Sequence, residues 1–170
     1  ALYAAISTDT GNYTYSNTTK RTHEITAKLY DYGVDANDVS VEIFENMRME
    51  RVLIEGKIIE TMQLFGDGRA AIAYVTQEML AETGATMDET EGVVQRLRSI
   101  RGVEVAAFVK EEANGTTKCS FRSKKHVDVA EIASCFGGGG HIRAAGCTIN
   151  KTFAEAFDDV KVKILEVLEK

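Results

Sequence analysis

Apolar positions recur with two different periods along this chain, and the places where the period changes divide it into elements. From residue 20 to 60 the spacing is helical. Ile25 and Leu29 share one face of a helix capped near Thr22 and closed at Gly33. Asp35 or Asn37 caps a second helix, in which Ile43, Met47, Ile54 and Ile58 recur at close to helical spacing through the charged patch Arg48–Arg51. Gly66-Asp67-Gly68 then separates unlike periodicities and is the best boundary. Beyond it, 70–75 is a short apolar strand, and a helix around Met79 and Leu80 ends at Gly84. Thr86-x-x-Glu89 is a capping box ahead of a helix carrying Val93, Val94, Leu97 and Ile100. Strands at 103–109 and 117–122 flank the hairpin signal Asn114-Gly115. On the second of these strands Lys118, Ser120 and Arg122 take one face, and Thr117, Cys119 and Phe121 the other. A helix at 127–136, a glycine run, a strand at 147–149 and a last helix opened by Thr152-x-x-Glu155 complete the chain. The pattern predicts an α/β protein.

Composition narrows this without changing it. The 170 residues are 44% hydrophobic, enough for a real core, and hold no apolar run long enough to cross a membrane. No signal peptide is visible, so a cytoplasmic setting without a membrane partner is expected. Cys119, Cys135 and Cys147 are odd in number and lack C-x-x-C spacing, which fits reduced thiols. The net charge of −6 argues against bulk duplex binding. It is unevenly spread: between 118 and 143 lie Lys118, Arg122, Lys124, Lys125 and Arg143 against Asp128 and Glu131, a local surplus of three positive charges. Such a cluster suits a small anion or the end of a single-stranded nucleic acid.

The basic cluster surrounds Gly137-Gly138-Gly139-Gly140-His141, followed by Ile142-Arg143-Ala144-Ala145-Gly146. Four glycines carry a heavy backbone entropy cost, tolerated where φ is positive or something must approach closely. Bare amides in such a loop can form an anion-binding concavity. Residues 141–145 can start a short helix whose N-terminus favours phosphate, with His141 as a donor and Arg143 as added charge. A flexible linker is the plainer alternative.

These ten residues, with Ser120-Phe121-Arg122-Ser123 ahead of them, resemble the glycine-rich motif of the DHHA1 domain, the substrate-binding half of many DHH-family phosphoesterases. Thr8-Asp9-Thr10-Gly11-Asn12-Tyr13, with Tyr15-Ser16-Asn17-Thr18-Thr19, resembles the last metal-ligand motif of the DHH domain. The similarity is greatest to the oligoribonuclease/pAp-phosphatase (nanoRNase) branch. It implies a C-terminal DHHA1-like domain at 69–170, with a mixed β-sheet flanked by helices. A linker at 61–68 and a helical remnant of the metal-binding DHH domain at 1–60 would precede it, the chain reading as lacking the N-terminal part of that domain.

The function implied is part of a hydrolase that cleaves short oligoribonucleotides or 3′-phosphoadenosine 5′-phosphate (pAp) with two Mn²⁺ ions. Ser120, Arg122, Gly138, Gly139, Gly140 and His141 would bind substrate phosphate, and Asp9 would be a metal ligand. The remaining metal ligands have no match: His23, His126 and His141 form no Asp-His-His triplet. The chain by itself is therefore expected to bind but not to hydrolyse. Tyr13 and Tyr15 could stack on a base. The family also admits a homodimer. A cyclic-dinucleotide phosphodiesterase, a RecJ-type single-strand exonuclease and a non-catalytic nucleic-acid-binding module are the alternatives.

Overall fold

The computed structural model describes residues 1–15 and 17–169. Ser16, part of the Tyr15–Thr19 motif, lies outside them. The chain divides into two compact units, Ala1–Arg48 and Met49–Lys170.

The first unit is helical: α1 (Leu2–Asp9), α2 (Lys20–Asp31) and α3 (Ala36–Ser40), which runs into a π-helical turn at Val41–Glu45. The cap of α2 is Thr19, three residues earlier than the hydrophobic pattern places it. Its hydroxyl accepts from Thr22 N–H, and the Thr22 hydroxyl accepts from Thr19 N–H, so Thr22 closes the box rather than opening it. Asp35 caps α3. The long second helix is not formed: residues 46–48 are non-helical.

In the second unit, α4 (Met49–Glu60) precedes β1 (Gln63–Phe65) and β2 (Ala70–Val75). Next come α5 (Gln77–Thr83), a 3₁₀ turn at Met87–Thr90, α6 (Val93–Ser99), β3 (Val105–Glu111) and β4 (Thr117–Ser123). The chain ends with α7 (Val129–Ser134), β5 (Gly139–His141), β6 (Ala144–Ile149) and α8 (Phe153–Leu168). The six strands form one mixed sheet in the order β1-β2-β3-β4-β6-β5, in which β2 and β3 run parallel and all other neighbours antiparallel. The chain is therefore α/β, with a mixed sheet between helices.

Alternation along β2 and β3 feeds a core on each face. Ile72, Val105, Ala107 and Val109 pack with Cys119, Phe121 and the inner faces of α7 and α8. Ala71, Ala73, Ala106 and Phe108 pack with Ile54 and Ile58 of α4 and with α5 and α6. Strands buried on both sides read as continuous apolar runs, as these do.

Two expected boundaries move. Residues 49–60 were expected in the metal-domain remnant, but Ile54 and Ile58 are fully buried in the second core. Each such side chain contributes about 1.5–3 kcal/mol by burial, which outweighs sequence continuity with the helix before it. The expected linker at 61–68 contains β1, and Gly66-Asp67-Gly68 is the turn that pairs it back onto β2, all three residues having positive φ. No helix forms at 141–145. His141 and Ala144 instead face each other across β5 and β6, joined by a two-residue turn.

Candidate functional site

The sheet register brings the predicted residues together. Arg122 pairs with Ala144, and Ala144 pairs with His141, so Arg122 and His141 stand in one row on one face, two strand spacings (about 10 Å) apart. The next row is Ser120, Gly146 and Gly139. This face is open over β6 and β5: Ala144 and Gly146 are half-buried and Thr148 is exposed, while Ala145, Cys147 and Ile149 fill the core behind. Removing side chains from the second row, at Gly146 and Gly139, leaves a floor that a ligand can approach closely.

The Ser-Phe-Arg-Ser strand divides its labour by alternation. Phe121 is fully buried. The buried Ser123 hydroxyl donates to Val127 O at 2.7 Å and reaches Ile142 O at 3.4 Å, pinning the β5–β6 turn to the end of β4. Ser120 and Arg122 are left facing outward, and Arg122 Nη1 donates to Phe121 O at 2.9 Å.

Each glycine of the run has its own role. Gly137 closes α7 with a φ of 74°. A Cβ on Gly138 would lie 2.2 Å from Gly146 O, and one on Gly140 2.5 Å from Ala144 O, so both are fixed by the approach of β6. Gly139 has nothing within 4 Å of its ideal Cβ and faces open space. The run is thus an edge strand and its lead-in, not a helix-capping loop, and the dipole of a following helix is not available to a phosphate.

Arg143, expected as added charge, is consumed by structure: it donates to Val127 O at 2.8 Å and to Lys125 O. Lys124 caps the end of α6 through Ile100 O at 2.6 Å. Three consecutive amides, of Lys125, His126 and Val127, point at Glu104 Oε1 at 2.9, 2.6 and 3.1 Å. Burial works against the charged form of Glu104, but these amides outweigh it and hold its carboxyl below the usual glutamate value.

The hydropathy pattern missed one wall. A polar cavity of about 330 Å³ lies between the Thr90–Gln95 segment and the outward face of β3 and β4, and it includes Arg122, Ser120, Lys118, Lys110 and Phe108. Burial, and then the charge of Lys118, pull Lys110 below the ordinary lysine value, while Glu91, Glu112 and Asp88 push the other way. The available signal was a lysine following an apolar run on the same strand, two residues after Phe108 and on its face.

Asp9 ends α1 in the first unit, where it is exposed. Gly11, Asn12 and Tyr13 follow with φ of 54°, 53° and 64°. The Tyr13 ring, a candidate for stacking on a base or for packing beside this turn, takes the second role: it stacks on His23 at 5.4 Å and its hydroxyl donates to Thr26. Tyr15 covers Gly11, whose ideal Cβ would meet that ring at 2.3 Å. Among the described residues no three His, Cys, Asp or Glu side chains stand close enough to hold a metal ion. Asp9 alone does not fit a two-metal centre, which needs several hard ligands.

The DHHA1 domain model matches residues 67–170. The chain belongs to the DHHA1 domain family. This DHHA1 protein is also similar, over more than that segment, to longer proteins. It is 29% identical over 148 residues to the bifunctional oligoribonuclease and PAP phosphatase NrnA of Bacillus subtilis, covering 87% of this chain and 46% of that one. It is 30% identical over 149 residues to the Thermus thermophilus protein of the same name, covering 87% and 44%. The chain thus spans about half the length of the curated relatives it matches. A solved exopolyphosphatase-related protein from Bacteroides fragilis superposes with a TM-score of 0.84 at 25% identity, covering 97% of this chain and 49% of that structure. No helix among the described residues is long and apolar enough to cross a membrane.

Proposed function

We propose that this DHHA1 chain is the substrate-binding part of a DHH-family phosphoesterase acting on short oligoribonucleotides or pAp. The observation that carries the reading is the Arg122–Ala144–His141 row on an open sheet face. Arg122 offers a planar fork for two phosphate oxygens, His141 donates from the neighbouring edge, and Ser120 supplies a hydroxyl to the same ligand. Gly139 and Gly146 let the ligand lie close to the backbone. The activity for which the NrnA relatives are named supports this reading over a cyclic-dinucleotide phosphodiesterase, a single-strand exonuclease and a non-catalytic binding module. The three free thiols fit a cytoplasmic setting.

The family resemblance implies two Mn²⁺ ions, and Asp9 is the one residue here assigned to them. Because the described residues do not complete such a site, no chemical step is assigned to this chain. Its residues hold and orient phosphate.

The test is titration calorimetry of the chain with pAp, using adenosine as the phosphate-free control. Arg122→Ala should weaken pAp about ten- to a hundredfold, as expected for a charge-assisted contact, and Arg122→Lys should recover part of it. A double-mutant cycle with His141→Ala should be non-additive if both side chains meet one phosphate. Unchanged affinity in Arg122→Ala, or strict additivity, overturns the shared phosphate site.

A further inference from the structure

Lys110 of β3 and Lys118 of β4 are register partners, directly opposite each other on the face that carries Ser120 and Arg122. Like charges in that relation destabilise a sheet. Among the described residues neither ammonium is in ion-pair contact. Lys110 lies over the Phe108 ring at 5.3 Å, with Glu91, Glu112 and Asp88 as its more distant acidic neighbours. Both lysines open into the 330 Å³ polar cavity that Ser120 and Arg122 also line. On the opposite wall stands Gln95, whose buried amide oxygen has no hydrogen-bond partner among the described residues. Two cations held together suit a ligand carrying an anionic group. The phosphate of a nucleotide is such a group.

Position then narrows the ligand. Lys118 is four residues from Arg122 on the same strand face, about 13 Å at strand rise. Strand side chains stand roughly perpendicular to a sheet and lean along it, so both phosphates of one nucleotide engage the two sites only if Lys118 and Arg122 lean toward each other, whereas a short chain of nucleotides spans them with both side chains upright.

We propose that Lys110 and Lys118 form a second anion subsite, which takes an internal phosphate of a single-stranded oligonucleotide whose terminal phosphate lies at Arg122 and His141. This rests on the phosphate-binding reading above and adds a chain-length preference to it. The subsite rewards oligonucleotides and is left empty by a mononucleotide.

The experiment uses the whole chain, with pAp and a 5′-phosphorylated triadenylate as probes at several salt concentrations. Lys118→Ala should weaken the triadenylate about tenfold, lower the salt dependence of its binding by about one phosphate's worth, and leave pAp within about twofold. Without ligand the same variant should melt no lower than the parent, because it removes a like-charge pair. Lys110→Met, which keeps the apolar stem, should repeat the result. Equal loss on both probes, or no loss on triadenylate, overturns the subsite. If Arg122→Ala leaves pAp binding intact while Lys118→Ala still weakens the triadenylate, the terminal-phosphate reading falls and the lysine contact stands.

Discussion

Gly138, Gly139 and Gly140 are identical as residues and opposed in what surrounds them. Alanine at Gly138 or Gly140 would drive a methyl group into the backbone of β6, and each should cost about 1–3 kcal/mol of stability, read by thermal or denaturant unfolding. Gly139→Ala should melt like the parent and weaken pAp, because its methyl enters the ligand face rather than the protein. A folded Gly139→Ala variant with unchanged affinity would remove β5 from the binding site. Glu104 makes a second prediction at this scale. Its carboxyl sits below the usual value in the folded chain, so the stability it contributes is fully present above the unfolded value. That contribution is lost as the pH falls through the folded one. Glu104→Gln should therefore flatten the acid limb of a stability-against-pH curve and leave the neutral region less affected. An unchanged acid limb would mean that the three amides are satisfied by water. The sequence held the identity of Arg122, Ser120 and His141 as site candidates through their motif. It did not show that Arg143 is spent on two carbonyls or that Lys110 faces Lys118, since both depend on strand pairing that no local window contains.

Elements whose signal is local were legible. The Thr152–Glu155 capping box opens α8, and Phe157, Val160, Ile164 and Leu168 point into the core as their spacing requires. Thr152→Ala should cost about 1 kcal/mol, measurable by chemical denaturation. A null effect would show that Glu155, left to satisfy the Thr152 amide, suffices. β2 and β4 were equally plain from apolar run and alternation. The failures share one cause. His141–Ala145 has the small residues of a tight helix start, but these residues are small because β5, β6 and β4 press together there, as the 2.9 Å from the ideal Cβ of Gly146 to Cys119 O shows. Tertiary pairing overrides local propensity, and Gly66-Asp67-Gly68, where the family match begins, is a hairpin turn inside the second unit rather than a linker for the same reason: a tight hairpin and a linker use the same residues.

At the scale of the whole chain, α4 decides where an independent unit begins. The family match starts at residue 67, yet Ile54 and Ile58 complete one of the two cores. A chain starting at Met49 should unfold cooperatively. One starting at Asp67, which lacks both α4 and β1, should lose several kcal/mol and expose apolar surface, seen as a lower midpoint and dye binding. Equal midpoints for the two would show that α4 is an accessory.

The ladder also pairs Cys119 with Cys147, both buried directly behind the row that carries Ser120 and Gly146. Cys135 is exposed. The molecule therefore contains its own clock. A thiol reagent should consume Cys135 at once and reach the other two only when the seam between β4 and β6 parts, so the slow phase times the breathing of the sheet. If nucleotide lies across β4, β6 and β5 as proposed, it holds that seam shut. Saturating nucleotide should stretch the slow phase and leave the fast one alone, which reports occupancy of the site without any turnover being measured.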